Sequence, residues 1–288
     1  MAWGDRSDGI RLRRLSSFRK MFPYMMRTRT ESAIYHALRL DLNSLRGWLD
    51  RSNADRENKV TRFHVILAAC VRTLALKPEA NRFVVGRRLY QRRTIDLSFV
   101  VKRALTEEAS ETTVKITFDP LDTIWDVINR VNARVRAVRE TPTSRDETAS
   151  EIVSKLPRSL IRLVMGGVRA LDYFGFLPAS FIKGDTLYTS VFLANLGSIG
   201  LDAVFHHLYE WGNAPFFVVI GKPKKEPTVN RDGQLEVRDV MDLKITLDER
   251  IADGVYFAAT IDLLRDLIEN PEKLEHPPES LPDPLTSR

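Results

Sequence analysis

Apolar residues recur along this chain with two periods, and the switches between them mark its elements. Alternation over residues 33–42 puts Ile34, His36, Leu38 and Leu40 on one face, the pattern of a half-buried strand. Asp41 or Asn43 can then cap a short helix through Leu49. From the N-cap candidate Thr61, apolar residues surround the chain as far as Leu76, and Pro78 ends the run. A helix apolar on nearly all sides is a buried one. Residues 83–85 and 89–90 flank Gly86-Arg87 and predict a hairpin. Residues 95–101 and 113–118 read as strands, and Asp119 or Asp122 opens a helix reaching Arg139. Residues 140–150 have loop composition, and one or two amphipathic helices follow, to about residue 175. Strands are predicted at 187–193, 216–220 and 235–247, the last with an irregularity near Val240-Met241. A final helix starts near Asp253 and ends before Pro271. Outside these elements, residues 1–10 read as a loose start and 15–29 as a basic helix. The proline-rich tail from Glu275 reads as extended or disordered.

Strands and helices mix without the strict alternation of a doubly wound sheet. That order predicts an α+β protein, a two-layer sandwich with helices covering one mixed β-sheet. Neither a Gly-x-Gly-x-x-Gly run nor a Gly-Lys-Ser/Thr loop is present, so nucleotide-binding folds gain no support.

Composition narrows the picture. The chain has 288 residues, 43% of them hydrophobic, which supplies a substantial core. One cysteine, Cys70, excludes an internal disulfide and a multi-cysteine metal site and fits a reducing compartment. It lies in an apolar run and reads as a buried small hydrophobe. The net charge is +6, with Arg11, Arg13, Arg14, Arg19, Lys20, Arg27 and Arg29 gathered near the start. A solvated helix face is the simple account of that cluster. No aromatic-interleaved basic motif points to nucleic acid. The start lacks the pattern of a signal peptide, and the expected location is cytoplasmic. The most apolar stretch, residues 160–182, carries Arg162, Arg169 and Asp172 and reads as buried or surface-lying rather than membrane-spanning.

Two segments carry a resemblance. Ala194-Asn195-Leu196-Gly197-Ser198-Ile199-Gly200 resembles the Ser-Asn-Leu-Gly-x-x-Gly turn of dihydrolipoamide acyltransferase catalytic domains, the core subunits of 2-oxoacid dehydrogenase complexes. Asp248-Glu249-Arg250-Ile251-Ala252-Asp253-Gly254, followed by a long helix ending Glu-Asn-Pro, resembles their Asp-His-Arg-x-x-Asp-Gly end. Leu15-Ser16-x-x-Arg19-Lys20 and Pro78-Glu79-Ala80-Asn81 are similar to two further blocks of the family, in the right order. The resemblance spans residues 12–272, between a flexible start at 1–11 and a tail at 273–288, with an apolar helical insertion at about 150–185.

The resemblance implies a chloramphenicol acetyltransferase-like fold and acyl transfer between coenzyme A and a thiol or other acceptor. It also implies a homotrimer with active sites between subunits. In the family a histidine takes the thiol proton, and a serine or threonine before Asn-Leu-Gly binds the oxyanion. Here Glu249 replaces the histidine and Ala194 the serine, while Asp248, Arg250, Asp253 and Gly254 match. Imidazole, with a pKa of about 6.5, suits thiol deprotonation; a carboxylate near 4.3 is a weaker base toward a thiol near 8.5. Two readings stay open: an acyltransferase with an altered site, or an inactive trimeric scaffold or ligand-binding relative.

The candidate catalytic residues are therefore Glu249 and Asp253, with His206 and His207 as an alternative base pair beside Tyr209 and Glu210. Asn195, Gly197 and Ser198 are candidates for binding coenzyme A or acyl-coenzyme A. No metal site is expected. His36 and His64 read as packed residues and His276 as solvated. The family usually carries its acyl group on its own lipoyl domain. The expectation here is no covalent lipoyl group, with a free acyl-coenzyme A or another protein's lipoyl domain as donor. The apolar segment beside Arg158, Arg162 and Arg169 adds a candidate peripheral membrane contact.

Overall fold

The computed structural model of the chain describes residues 4–102, 111–140, 155–229 and 232–285. Its main sheet has seven strands: β2 (Ala33–Asp41), β5 (Ile95–Lys102), β6 (Glu111–Phe118), β7 (Val191–Asn195), β8 (Phe216–Ile220), β9 (Lys224–Val229) and β10 (Leu235–Asp248). The order is β2-β10-β8-β7-β5-β6, with β9 pairing the first half of β10. β7 runs parallel to both β5 and β8, and the other pairs are antiparallel. The sheet is thus mixed, as expected. A small second sheet orders β1 (Gly9–Arg11), β4 (Arg88–Arg92) and β3 (Arg82–Val85).

Helices α2 (Asn43–Ser52), α3 (Arg62–Leu76), α4 (Ile124–Glu140) and α7 (Gly254–Glu269) cover one face of the main sheet. The alternation predicted for β2 is the packed one: Leu38 and Leu40 join Leu243, Ile245, Val218 and Leu193 in that core. α3 runs through its centre, and every residue from His64 to Ala75 is buried. Thr61 accepts from the His64 amide, and His64 Nδ1 accepts in return from the Thr61 amide at 3.2 Å. His64 is thus a capping residue. The hairpin at Gly86-Arg87 is present, with both residues at φ +57°, as a tight turn matched to strand twist requires.

Several expectations are corrected. The start is not loose: Gly9–Arg11 pairs with β4, and Arg6 is 2% exposed. The basic helix is only α1 (Ser17–Met25), because Glu31 accepts from the Arg27 and Thr28 amides and turns the chain. That turn sends Arg29 inward, so the basic cluster is not wholly a solvated face. The helix after β6 starts beyond Asp119 and Asp122, behind a reciprocal Thr123–Asp126 cap. The strand predicted at 187–193 is shifted to Val191–Asn195, because Thr189 and Ser190 bond to Asp96 across the entry to β5. β10 is continuous against β2. The irregularity lies opposite it, where pairing slips by one residue between Leu243↔Ile220 and Val240↔Lys224. β9 was not predicted: Lys-Lys-Glu-Pro-Thr-Val has no apolar alternation, and an edge strand needs none. The loop expected at 140–150 lies outside the described residues apart from Glu140, which ends α4.

The expected insertion holds α5 (Arg158–Phe174) and α6 (Ala179–Gly184). α5 is pinned at its C-terminal end. Arg6 donates to the Asp172 carbonyl and carboxylate at 2.9 and 2.8 Å, and Gly86 lies so close that a Cβ there would overlap the Tyr173 carbonyl. No residue of α5 is buried, and Leu163, Phe174 and the following Phe176 are 72%, 58% and 74% exposed. Among the described residues no helix is long and apolar enough to cross a membrane.

Candidate functional site

The end of β10 is built as a clamp. The Arg250 guanidinium lies on the Asp248 carboxylate with two bonds of 2.8 and 2.7 Å, and both side chains are buried. The Ser32 hydroxyl donates to the same carboxylate, and Arg250 also donates to the Met26 carbonyl. A bidentate pair with its remaining atoms satisfied is the geometry in which a buried ion pair holds shape. It locks the residues on either side of Glu249, whose own amide donates to the Ser32 carbonyl at 2.9 Å. The Glu249 side chain is half-buried and makes no hydrogen bond or ion pair among the described residues.

Asp253, the other candidate from this motif, has a structural task. Its carboxylate accepts from the Tyr256 amide, capping α7, and from Arg19 at 3.1 Å. Arg19 also reaches the Ile251 carbonyl, so α1 is fastened to the motif.

The Asn-Leu-Gly turn closes on itself. Asn195 Oδ1 accepts from the Ser198 amide, and Ser198 Oγ donates to the Asn195 carbonyl at 2.7 Å. Gly197 packs on Gly221 so closely that a Cβ would lie 2.5 Å from the Gly221 carbonyl oxygen. The three candidates for coenzyme A binding therefore fix the shape of a turn, and two of their polar side-chain atoms are already engaged. Ala194 precedes the turn and offers no hydroxyl.

His206 and His207 lie elsewhere. The strap at 201–212 crosses the outer face of β7 and β8, where Leu208 packs with Phe192, Phe217 and Val219. His206 stacks on Phe217 with centroids 3.9 Å apart, and its Nδ1 contacts the His207 carbonyl at 2.7 Å. Among the described residues neither ring makes a hydrogen bond, ion pair or ring contact with Glu249. Glu210 accepts from Thr30, and Tyr209 joins the same aromatic layer. Among the described residues no three His, Cys, Asp or Glu side chains converge as a metal site. His276 is exposed, while its carbonyl accepts from Arg72. Burial pushes the Cys70 thiol up to about 12, which makes it inert as a nucleophile.

Strand register separates the two altered positions. Ala194 pairs with Val219 and Val219 with Lys244, so Ala194 lies level with Lys244 on β10. Glu249 lies five residues beyond Lys244, about 17 Å further at roughly 3.3 Å per residue. Within one chain, Ala194 is therefore level with the interior of β10, while Glu249 lies just beyond the end of that strand. Ser32, Arg19 and Arg29 were absent from the candidates. An isolated serine or arginine carries no motif, and only the fold brings Ser32 to Asp248.

Residues 184–275 match the family of 2-oxoacid dehydrogenases acyltransferase (catalytic domain). No curated protein matches the sequence. Among solved structures, a probable dihydrolipoamide acetyltransferase from Listeria monocytogenes is 14% identical, covers 93% of this chain and 96% of its own, and has a TM-score of 0.58. The Azotobacter vinelandii dihydrolipoamide acetyltransferase is 14% identical with a TM-score of 0.55, over 84% of this chain and 83% of that one. A serine, a histidine and an asparagine are named in its catalytic mechanism. A chloramphenicol acetyltransferase is 14% identical over 87% of this chain and 94% of its own, with a TM-score of 0.51. The class is thereby defined: an α+β protein of the chloramphenicol acetyltransferase-like fold. Residues 184–275 carry the segment of the 2-oxoacid dehydrogenase acyltransferases, so the resemblance seen in the motifs holds.

Proposed function

We propose that this protein is an acyltransferase that moves an acyl group between coenzyme A and a thiol or other acceptor, with Glu249 as the base, in a homotrimer. The supporting observation is the end of β10. The chain keeps the whole clamp of Asp248, Arg250 and Ser32 around one half-buried carboxylate that has no structural partner. That carboxylate accepts the thiol proton as the thiolate attacks the acyl carbonyl, and it returns the proton to the leaving group. The missing hydroxyl at Ala194 costs about 2.7–4 kcal/mol of oxyanion stabilisation if nothing replaces it. Because Ala194 and Glu249 are separated by about 17 Å along one sheet, a site containing both positions needs two copies of the chain.

Thiol release from a panel of acyl-coenzyme A donors tests this. Turnover that Glu249→Ala abolishes supports it. A folded multimer with no turnover on any donor favours the inactive scaffold instead, a reading that Ala194 motivates. Glu249→His with Ala194→Ser then asks whether the scaffold still accommodates the usual chemistry. The donor in this reading is free acyl-coenzyme A or a lipoyl group on another protein, and the setting is cytoplasmic. The exposed apolar ridge of α5 motivates a peripheral membrane contact as well. Full recovery in the supernatant after sedimentation with anionic liposomes at low salt would remove that contact.

A further inference from the structure

Behind the clamp, the α1–β2 turn, the β3–β4 turn, the strap and α5 enclose a cavity of about 270 Å³. Five of its lining residues are arginines: Arg27, Arg29, Arg87, Arg169 and Arg250. Among the described residues only Arg250 has a carboxylate partner in an ion pair, Asp248. Arg29 is 7% exposed and donates solely to backbone carbonyls, those of Tyr209, Val84 and Gly212. Burial, and then the neighbouring Arg250, disfavour its charge, against the attraction of Asp248. Arg87 lies over the Tyr24 ring, and Arg27 and Arg169 have no ion pair among the described residues. The two acidic lining residues attract Arg29 without forming an ion pair with it: Asp172 is held by Arg6, and Glu210 accepts from Thr30.

We propose that this cleft is a binding site for a phosphate-bearing anion, a phosphomonoester or a diphosphate. Four guanidinium groups around one cavity without carboxylate partners repel one another, and a bound polyanion reverses the sign of that interaction. A carboxylate offers two oxygens and matches one guanidinium fork. A terminal phosphate offers three acceptors in a tetrahedral array and can engage several arginines at once. Arg169 reaches the cleft from α5, whose C-terminal end Arg6 and Gly86 hold in place. The site is independent of the acyl-transfer reading, because binding at it requires no turnover.

A soluble organic phosphate and a phosphorylated lipid headgroup share this chemistry, and calorimetry with two arms separates them. Full-length protein is titrated with pyrophosphate, and is also sedimented with phosphatidylcholine vesicles carrying phosphatidylinositol monophosphate or charge-matched phosphatidylserine. Saturable pyrophosphate binding without vesicle binding assigns the soluble anion. Selective binding to phosphoinositide vesicles that pyrophosphate competes away assigns the headgroup. In either case Arg169→Gln and Arg27→Gln, both exposed at the rim, should weaken binding about tenfold or more. Arg136→Gln on α4 should leave it unchanged. Absence of saturable binding in both arms, or binding that ignores the rim substitutions, overturns the proposal.

Discussion

Among the described residues, Glu249 is the one charged residue of its motif whose side chain makes no hydrogen bond or ion pair, and its neighbours explain why it stays in place. Asp248 and Arg250 are buried, mutually bidentate and otherwise satisfied. Removing one partner leaves the other as an uncompensated buried charge, which costs about 3–5 kcal/mol. Arg250→Met should therefore lower the unfolding free energy measured in urea by that amount, whereas Glu249→Ala, which breaks no bond, should leave it within about 0.5 kcal/mol of wild type. His64 gives a pH signature. Burial lowers its pKa, and its Nδ1 must remain an acceptor for the Thr61 amide. A base with a depressed folded pKa binds protons less than the unfolded chain does. Its contribution is present above the unfolded value of about 6.5 and is lost as pH falls through the window below it. Thermal stability should drop between roughly pH 7 and 5, and less steeply in His64→Asn. Cys70 should resist alkylation in the native protein and react at once in denaturant.

α5 is held by few contacts and carries a partly separate fate. Its C-terminal end depends on Arg6–Asp172 and on the absence of a side chain at Gly86. Gly86→Ala adds a methyl against the Tyr173 carbonyl and also disfavours the positive φ of the turn. The expected outcome is faster amide exchange over residues 158–174, with protection in β7, β8 and β10 unchanged. Elsewhere the readable elements were those whose cause is local. Thr61 with its apolar run, the Gly86-Arg87 turn, and Asp253 before the last helix each carried their signal within a few residues. β9 carried none. It is fixed by a charge lattice linking Lys224 to Asp242, Arg39 to Asp242, and Arg39 to Glu226 across β9, β10 and β2. Exposed pairs of this kind contribute little stability each, so their value is in register rather than in energy.

Across the whole molecule, the order of strands decides what the two altered positions can do together. In the proposed acyltransferase, a site combining Ala194 and Glu249 is assembled from separate copies, so activity should follow assembly. Light scattering should show a multimer, and dilution to the monomer should extinguish acyl transfer while far-ultraviolet circular dichroism stays constant. Sequence alone determined the α+β class, the burial of α3 and the position of both motifs, because periodicity, caps and turn residues act over short spans. Tertiary structure alone decided that His206 is stacked on Phe217 and that Ser32 completes the clamp around Asp248. It also decided that Arg29 lies inside a cleft of unpaired arginines. Those outcomes depend on contacts between residues as much as 216 positions apart. A linear pattern records which side chains are available, and only the packed sheet sets which of them meet.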